Sequence, residues 1–197
     1  MEGTNKGMKR HAREHAPSSS SFAGREMTIQ EETHFAGKRY LATWETGYEL
    51  PPRDLVRQVS AVCFTPFNQI VMIGDTPGEL HIPGGHPEDG ERLDEALRRE
   101  IREETCCEVR DMRLLGWQRV VDMDDASVHY QMRYCCCVEV RPFAPEHEVA
   151  TRTIIDSCAF LEELKYGNSP IAAEFYRLAL EANQDMEDSE PKPNLII

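Results

Sequence analysis

Three glutamates near the middle of the chain have a spacing that would let them act together. Glu100, Glu103 and Glu104 lie at i, i+3 and i+4 of residues 92–105, a segment rich in Leu, Ala, Arg and Glu that is predicted to be helical. The apolar stripe of this helix consists of Leu93, Ala96, Leu97 and Ile101. The three carboxylates continue that stripe rather than opposing it.

Carboxylates clustered in this way repel one another and are costly to bury without a cation. Arg99 can pair with one of them but not with all three. A hard divalent cation bound through oxygen, Mg²⁺ or Mn²⁺, would offset the repulsion. In the alternative interpretation, Glu103 and Glu104 simply point into solvent at the end of the helix.

The elements that must hold this helix in place are predicted strands on both sides of it. The extended patterns cover residues 34–44, 57–65, 69–73, 80–82, 111–121, 127–140 and 151–160. A helical turn is predicted at 161–164, and a last helix has Ser169 as N-cap, Pro170 at its first position and periodic residues 171–182. This order predicts an α+β fold, a mixed sheet covered by helices.

The chain of 197 residues suits a single domain flanked by two tails. Residues 1–25 are polar and charged and are predicted to be a flexible arm. Residues 26–183 form the predicted domain, and 184–197 an acidic, loose tail.

Charge and cysteine content exclude several classes of protein. The net charge of −13 disfavours duplex nucleic acid as a partner, and no apolar run is long enough to span a membrane. Seven cysteines without a CxxC spacing indicate reduced thiols, and the N-terminus has no apolar signal segment, so a cytoplasmic location is expected. The sequence is compatible with a homodimer.

The segment from Gly85 to Cys107 carries a recognisable motif. After Gly85 come five residues, Glu91, seven residues, and then Arg99-Glu100-Ile101-Arg102-Glu103-Glu104. This resembles the Nudix box, GX5EX7REUXEEXGU with U apolar, the signature of the Nudix hydrolases. The box glycine is replaced by Cys106, which would have to adopt the left-handed conformation that ends a helix, or let the helix end otherwise.

The resemblance implies an αβα sandwich that hydrolyses a nucleoside diphosphate linked to another moiety, with Mg²⁺ as cofactor and Mn²⁺ able to substitute. By position, Glu100, Glu103, Glu104 and the Gly84 carbonyl would be the metal ligands. Arg99 and Glu91 would form an ion pair that orients Glu100.

Four further residues are candidates for catalysis or substrate binding. In this family the general base is either a helix glutamate or one on a distal loop, here Glu146 or, as the preferred candidate, Glu148. Arg133 is a candidate phosphate contact or an outward strand residue, and His86 is a candidate substrate contact or a surface histidine. The family's markers do not select a substrate, which is expected to be a small nucleotide derivative.

Two other functions are compatible with the sequence. The chain could be a Nudix-fold module that binds a nucleotide without turnover, although a pure sensor has no need of three clustered carboxylates. It could also contain a structural acidic helix without a ligand, in which case the spacing of Glu91 and Arg99 is a coincidence.

Overall fold

A computed structural model describes residues 28–144 and 151–189. The predicted N-terminal arm and the end of the chain after Ser189 lie outside these residues. The strands are β1 (Gln30–Phe35), β2 (Lys38–Glu45), β3 (Val56–Phe64), β4 (Gln69–Ile73), β5 (Gly84–Gly85), β6 (Cys107–Asp122), β7 (Val128–Val140) and β8 (Arg152–Asp156). The α-helices are α1 (Leu93–Thr105), α2 (Phe160–Glu163) and α3 (Pro170–Ser189).

One mixed sheet organises the described part of the chain. Its strand order is β1-β2-β6-β7-β3-β4-β8, and β5 pairs with β3 beside β4. The central pair, β3 and β7, is parallel, and the other neighbours are antiparallel. The predicted α+β class, with a mixed sheet between helices, is confirmed.

Two hydrophobic clusters lie on opposite faces of this sheet. One contains Leu97 and Ile101 of α1, together with Met132 and Tyr134 of β7. The other contains α3 residues and Cys135, the neighbour of Tyr134 on β7. Successive side chains of a strand point to opposite faces, so β7 contributes to both clusters. The three layers are therefore α1, the sheet, and α2 with α3, an αβα sandwich.

The sequence predictions were wrong at four places. Residues 80–82, predicted to be a short strand, form only isolated bridges at Leu80 and His81. The strand predicted at 34–44 is a hairpin of β1 and β2, turned at Ala36-Gly37, where φ is +50° and +80°. The strand predicted at 151–160 ends at Asp156, and a 3-10 turn leads from there into α2. Residues 184–189, predicted to be loose, continue α3.

Helix α3 extends beyond its predicted end because one apolar residue within the acidic segment is buried. Met186 is buried against the cluster on this face, in line with Ala182 one turn earlier and Ala179 two turns earlier. The apolar stripe of α3 therefore continues into the acidic segment. No helix in the described ranges is long and apolar enough to cross a membrane.

The end of α1 confirms one of the two options for Cys106. This residue caps the helix in the left-handed conformation, at φ +54° and ψ +30°, and its N–H donates to the Arg102 carbonyl at 2.9 Å. A side chain at such a position costs about 1 kcal/mol relative to glycine.

We expect Cys106→Gly to raise the free energy of unfolding by less than about 1 kcal/mol, because the greater freedom of glycine in the unfolded chain offsets part of the relieved strain. Urea unfolding under reducing conditions measures the change. Cys106→Ala is the control, since it removes the thiol and keeps the Cβ. A gain in stability of the same size in both variants would show that it does not come from relief of the backbone strain at residue 106.

Candidate active site

The turn before α1 brings its backbone unusually close to two other elements. Gly84 pairs with Ser60 of β3 at φ +149°, where an added Cβ would lie 2.2 Å from the Val59 carbonyl oxygen. An added Cβ at Gly85 would lie 2.3 Å from Oε1 of Glu100. Only residues without a side chain can therefore seat this turn between the sheet and the carboxylates of α1.

Arg99 and Glu91 form the ion pair that the sequence predicts. Nε of Arg99 donates to Oε1 of Glu91, and Nη2 to Oε2, both at 3.0 Å. These bonds lower the pKa of Glu91 below its usual value, and the pairing with Glu91 raises the pKa of Arg99. This bidentate geometry fixes the plane of the guanidinium, and the two bonds join the loop before α1 to the helix.

The same guanidinium contacts two further carboxylates. Nη1 of Arg99 donates to Glu100 at 2.9 Å and to Glu103 at 3.4 Å. The third, Glu104, instead accepts the backbone N–H of Gly84 at 2.8 Å, a contact that the sequence did not predict. A single positive charge thus serves three acidic groups, while Glu104 has none.

The electrostatic strain of this arrangement falls on Glu104. Burial, together with the charges of Glu100 and Glu103 and opposed by the Gly84 N–H, raises the pKa of its carboxyl to about 7. A carboxyl whose pKa is raised to near neutral by burial and by acidic neighbours is the behaviour expected of a site short of positive charge.

The donor chemistry fits a hard divalent cation, although the side chains are not gathered around one point. Within residues 28–144 and 151–189, no three His, Cys, Asp or Glu residues converge as a metal cluster. Glu100 and Glu103 turn towards Arg99, and Glu104 turns towards the Gly84 N–H. Each accepts from the hydrogen-bond donor within reach, and all offer the oxygen ligands that Mg²⁺ prefers.

The loop that carries Glu91 is fixed by an arginine that the sequence analysis missed. Nη2 of Arg53 donates to the carbonyl of Glu91 at 2.8 Å and to that of Glu88 at 3.4 Å. Arg99 also donates to the carbonyl of His86 at 3.2 Å. The side chain of His86 is exposed, so the structure leaves its predicted role as a substrate contact open.

Arg133 does not face outward, as one interpretation of the sequence suggested. Its side chain is buried on the α3 face of the sheet, where burial lowers its pKa to about 10. Its hydrogen-bond partners include Ser60 at 2.8 Å and Gln118 at 3.0 Å. These partners were missed because they lie on other strands. Glu146 and Glu148 lie outside the described residues, and their role stays a prediction.

The raised pKa of Glu104 gives a pH dependence with a defined sign. Between about pH 4.5 and 7 the folded protein keeps the Glu104 proton that the unfolded chain releases. The contribution of this group to stability is therefore present at low pH and is lost as the pH rises through this window.

We expect the melting temperature of the wild type in EDTA to fall, relative to that of Glu104→Gln, between pH 5 and pH 8. The amide can still accept the Gly84 N–H but does not titrate. Thermal unfolding of both proteins across this range measures the difference. A difference that does not change with pH would contradict the raised pKa.

Comparison with known proteins places this arrangement in a family. Residues 54–178 match the model of the NUDIX domain, which is more than half of the chain. The fold is similar to that of the pyrophosphohydrolase BsRppH from Bacillus subtilis, with a TM-score of 0.55 and 16% identity over 77% of this chain and 97% of that one. For the MutT NUDIX hydrolase from Burkholderia pseudomallei the values are 0.45 and 22%, over 60% and 95%. No curated protein sequence matches the chain.

Proposed function

Because the chain belongs to the NUDIX family, we propose that it is a metal-dependent pyrophosphohydrolase that cleaves the diphosphate of a nucleoside diphosphate linked to another moiety. The observation that carries the proposal is the acidic site built on Arg99. Glu91, Glu100 and Glu103 all contact this one guanidinium, and Glu104 lies beside the Gly84 N–H. Such an excess of acidic oxygens has little structural use and is suited to holding a cation.

In this proposal Glu100, Glu103, Glu104 and the Gly84 carbonyl hold Mg²⁺, or Mn²⁺ in its place. A bound cation of this kind neutralises charge on the diphosphate and on the transition state for attack at phosphorus. The position of Glu104 supports its proposed role as a metal ligand. A partly buried carboxyl with two acidic neighbours would be stabilised in its charged form by a cation.

Arg99 and Glu91 act as positioning residues. Nη1 of Arg99 holds Glu100 at 2.9 Å, while two bonds to Glu91 fix the guanidinium itself. Orientation of this kind matters because metal ligands held by hydrogen bonds bind more tightly than free ones. Glu148, or in its place Glu146 or a glutamate of α1, takes the proton of the attacking water as general base.

The substrate is a small nucleotide derivative that contacts Arg133, with His86 near the turn as a second contact. The net charge of −13 supports a bridging cation for any phosphorylated ligand and argues against duplex nucleic acid. The cysteine pattern, which has no CxxC spacing, supports a cytoplasmic location.

The test is phosphate release from a panel of nucleotide sugars, dinucleotides and nucleoside triphosphates, with and without Mg²⁺. We expect turnover of at least one class that needs the cation and is abolished by EDTA. Binding of these compounds without turnover under any divalent cation would instead support a nucleotide-binding module and would refute the enzyme.

A further inference from the structure

Three glutamines and one arginine meet on the α3 face of the sheet, across three adjacent strands. Gln58 of β3, Gln131 of β7 and Gln118 of β6 lie side by side in register. The next row on the same face contains Ser60 and Arg133, which are also direct partners. We refer to these five residues as the Arg133 cradle.

The guanidinium in the cradle is bound by neutral acceptors. Nη1 of Arg133 donates to Ser60 at 2.8 Å and to Gln58 at 3.4 Å. Nη2 donates to Gln118 at 3.0 Å and to Gln131 at 2.5 Å. In the part of the chain that the structure describes, Nε is buried without a hydrogen-bond partner. The positive charge is thus solvated by dipoles and is not compensated by an anion.

This network also determines which way the glutamine amides face. A guanidinium has only donors, so each amide must present its oxygen to Arg133. The NH₂ groups of Gln58, Gln118 and Gln131 then remain as donors for another partner. Together with the charge of Arg133, they make a polar surface that suits a ligand group with several hydrogen-bond acceptor oxygens.

No carboxylate of the surrounding cavity is close enough to supply the missing charge. Among the described residues that line the cavity, the acids are Glu31 and Glu32, both on β1. At about 4.8 Å between neighbouring strands, β1 lies roughly 14 Å from β7. Glu31 also already accepts a hydrogen bond from Ser169, and the lowered pKa of Arg133 is due to burial.

The cradle lies in a cavity that is large enough for a nucleotide-sized ligand. Its volume is about 890 Å³, within the usual range for small-molecule sites. Its lining includes His81 and Ile82, directly before the turn at Gly84. Ser60 pairs with Arg133 on one side and with Gly84 on the other, so Arg133 lies about two strand spacings, roughly 10 Å, from that turn.

We propose that the Arg133 cradle binds an anionic group of the substrate, a phosphate or a carboxylate, that lies apart from the diphosphate at the acidic site. The inference rests on the proposed function, which supplies the diphosphate. The carboxylates of α1 need a cation to accept phosphate, whereas the cradle offers a positive charge and amide donors of its own. A substrate that reaches both the cradle and the acidic site would therefore carry an anionic group at each.

The kinetic test uses the full-length chain with Mg²⁺ and three matched pairs of compounds. NADPH and coenzyme A carry a phosphate that NADH and dephospho-coenzyme A lack, and UDP-glucuronate carries a carboxylate that UDP-glucose lacks. We expect the wild type to prefer the charged member of at least one pair by ten- to a hundredfold in kcat/KM, mainly through KM. The pair that is discriminated identifies the anion as phosphate or carboxylate.

Arg133→Met should bring that ratio close to one. Arg113→Met is the matched control, because Arg113 is exposed and pairs with Asp185. It should keep the ratio of the wild type. Gln118→Met retains the charge of Arg133 and removes one amide, so it should lower the ratio to an intermediate value even if Arg133→Met does not fold.

A binding measurement separates this inference from the proposed function. In EDTA, the charged member of at least one of the three pairs should raise the melting temperature of the wild type and of Arg113→Met more than its partner does, but not that of Arg133→Met. Lack of turnover with every compound would refute the proposed hydrolase and leave this measurement valid. Equal kcat/KM values and equal melting-temperature shifts for both members of all pairs would refute anion binding by the cradle. A preference that survives in Arg133→Met would refute it as well.

Discussion

Glu103→Gln is expected to lower kcat/KM by about 10²–10⁴-fold with Mg²⁺ while leaving the fold intact. The amide keeps the shape of the side chain but lacks the charge proposed to hold the cation, which supplies several kcal/mol of transition-state stabilisation. Glu103 makes one contact of 3.4 Å with Arg99 and is partly exposed, so its replacement costs little stability. Steady-state hydrolysis of the best substrate measures the change.

The matched control is Glu108→Gln, which neutralises an exposed carboxylate at the start of β6, close to Glu103 in sequence. Its kcat/KM should stay within about twofold of the wild type, because removal of a remote surface charge changes little. Less repulsion of Glu100 and Glu104 should keep the melting temperature of Glu103→Gln in EDTA at or above that of the wild type. Turnover by Glu103→Gln at the wild-type rate would show that the cation site is wrongly assigned.

Gly84→Ala should destabilise the protein by about 3–5 kcal/mol. Its Cβ would lie 2.2 Å from the Val59 carbonyl oxygen and 2.5 Å from Cα of Ser60, both backbone atoms that can yield only if β5 separates from β3. The strain of a side chain at φ +149° adds to this overpacking. Urea unfolding measures the loss, and the displaced turn should also weaken the bond from Gly84 to Glu104.

Gly90→Ala separates the two causes. Gly90 also has a positive φ, +79°, but an added Cβ there would have no atom within 4 Å. Its loss of stability should be about 1–2 kcal/mol, the cost of the backbone conformation alone. Equal losses in the two variants would contradict the close contact between β5 and β3.

The acidic site was accessible to prediction because its residues are close in sequence. Helical spacing places Glu100, Glu103 and Glu104 on one side of α1, and the resemblance to the Nudix box implied the ion pair of Arg99 with Glu91, eight positions away. The hairpin of β3 and β4 could be predicted for a similar reason, since residues 66–68 form a local turn signal between two apolar runs.

The Arg133 cradle, in contrast, depends on strand pairing across most of the chain. Gln58 and Gln118 are ordinary polar residues in their own strands, and only the register of β3, β7 and β6 brings them beside Gln131. No local signal could have revealed them, because alternation along a strand states which face a residue takes but not its neighbours. Arg53 escaped notice likewise, since its partners are the carbonyls of a distant loop.

The parallel pairing of β3 with β7 at the centre of the sheet also has a consequence for how the chain folds. Val56 pairs with Tyr130, so β4, α1 and all of β6 lie within the segment that must be closed before this pair can form. The β6–β7 hairpin, in contrast, closes through a short turn between Asp122 and Val128. Because long-range closure costs entropy before it gains contacts, the hairpin should form early and the middle of the sheet late. Both the turn at Gly84 and the Arg133 cradle are built on β3, so the functional surfaces would be completed in the last step of folding.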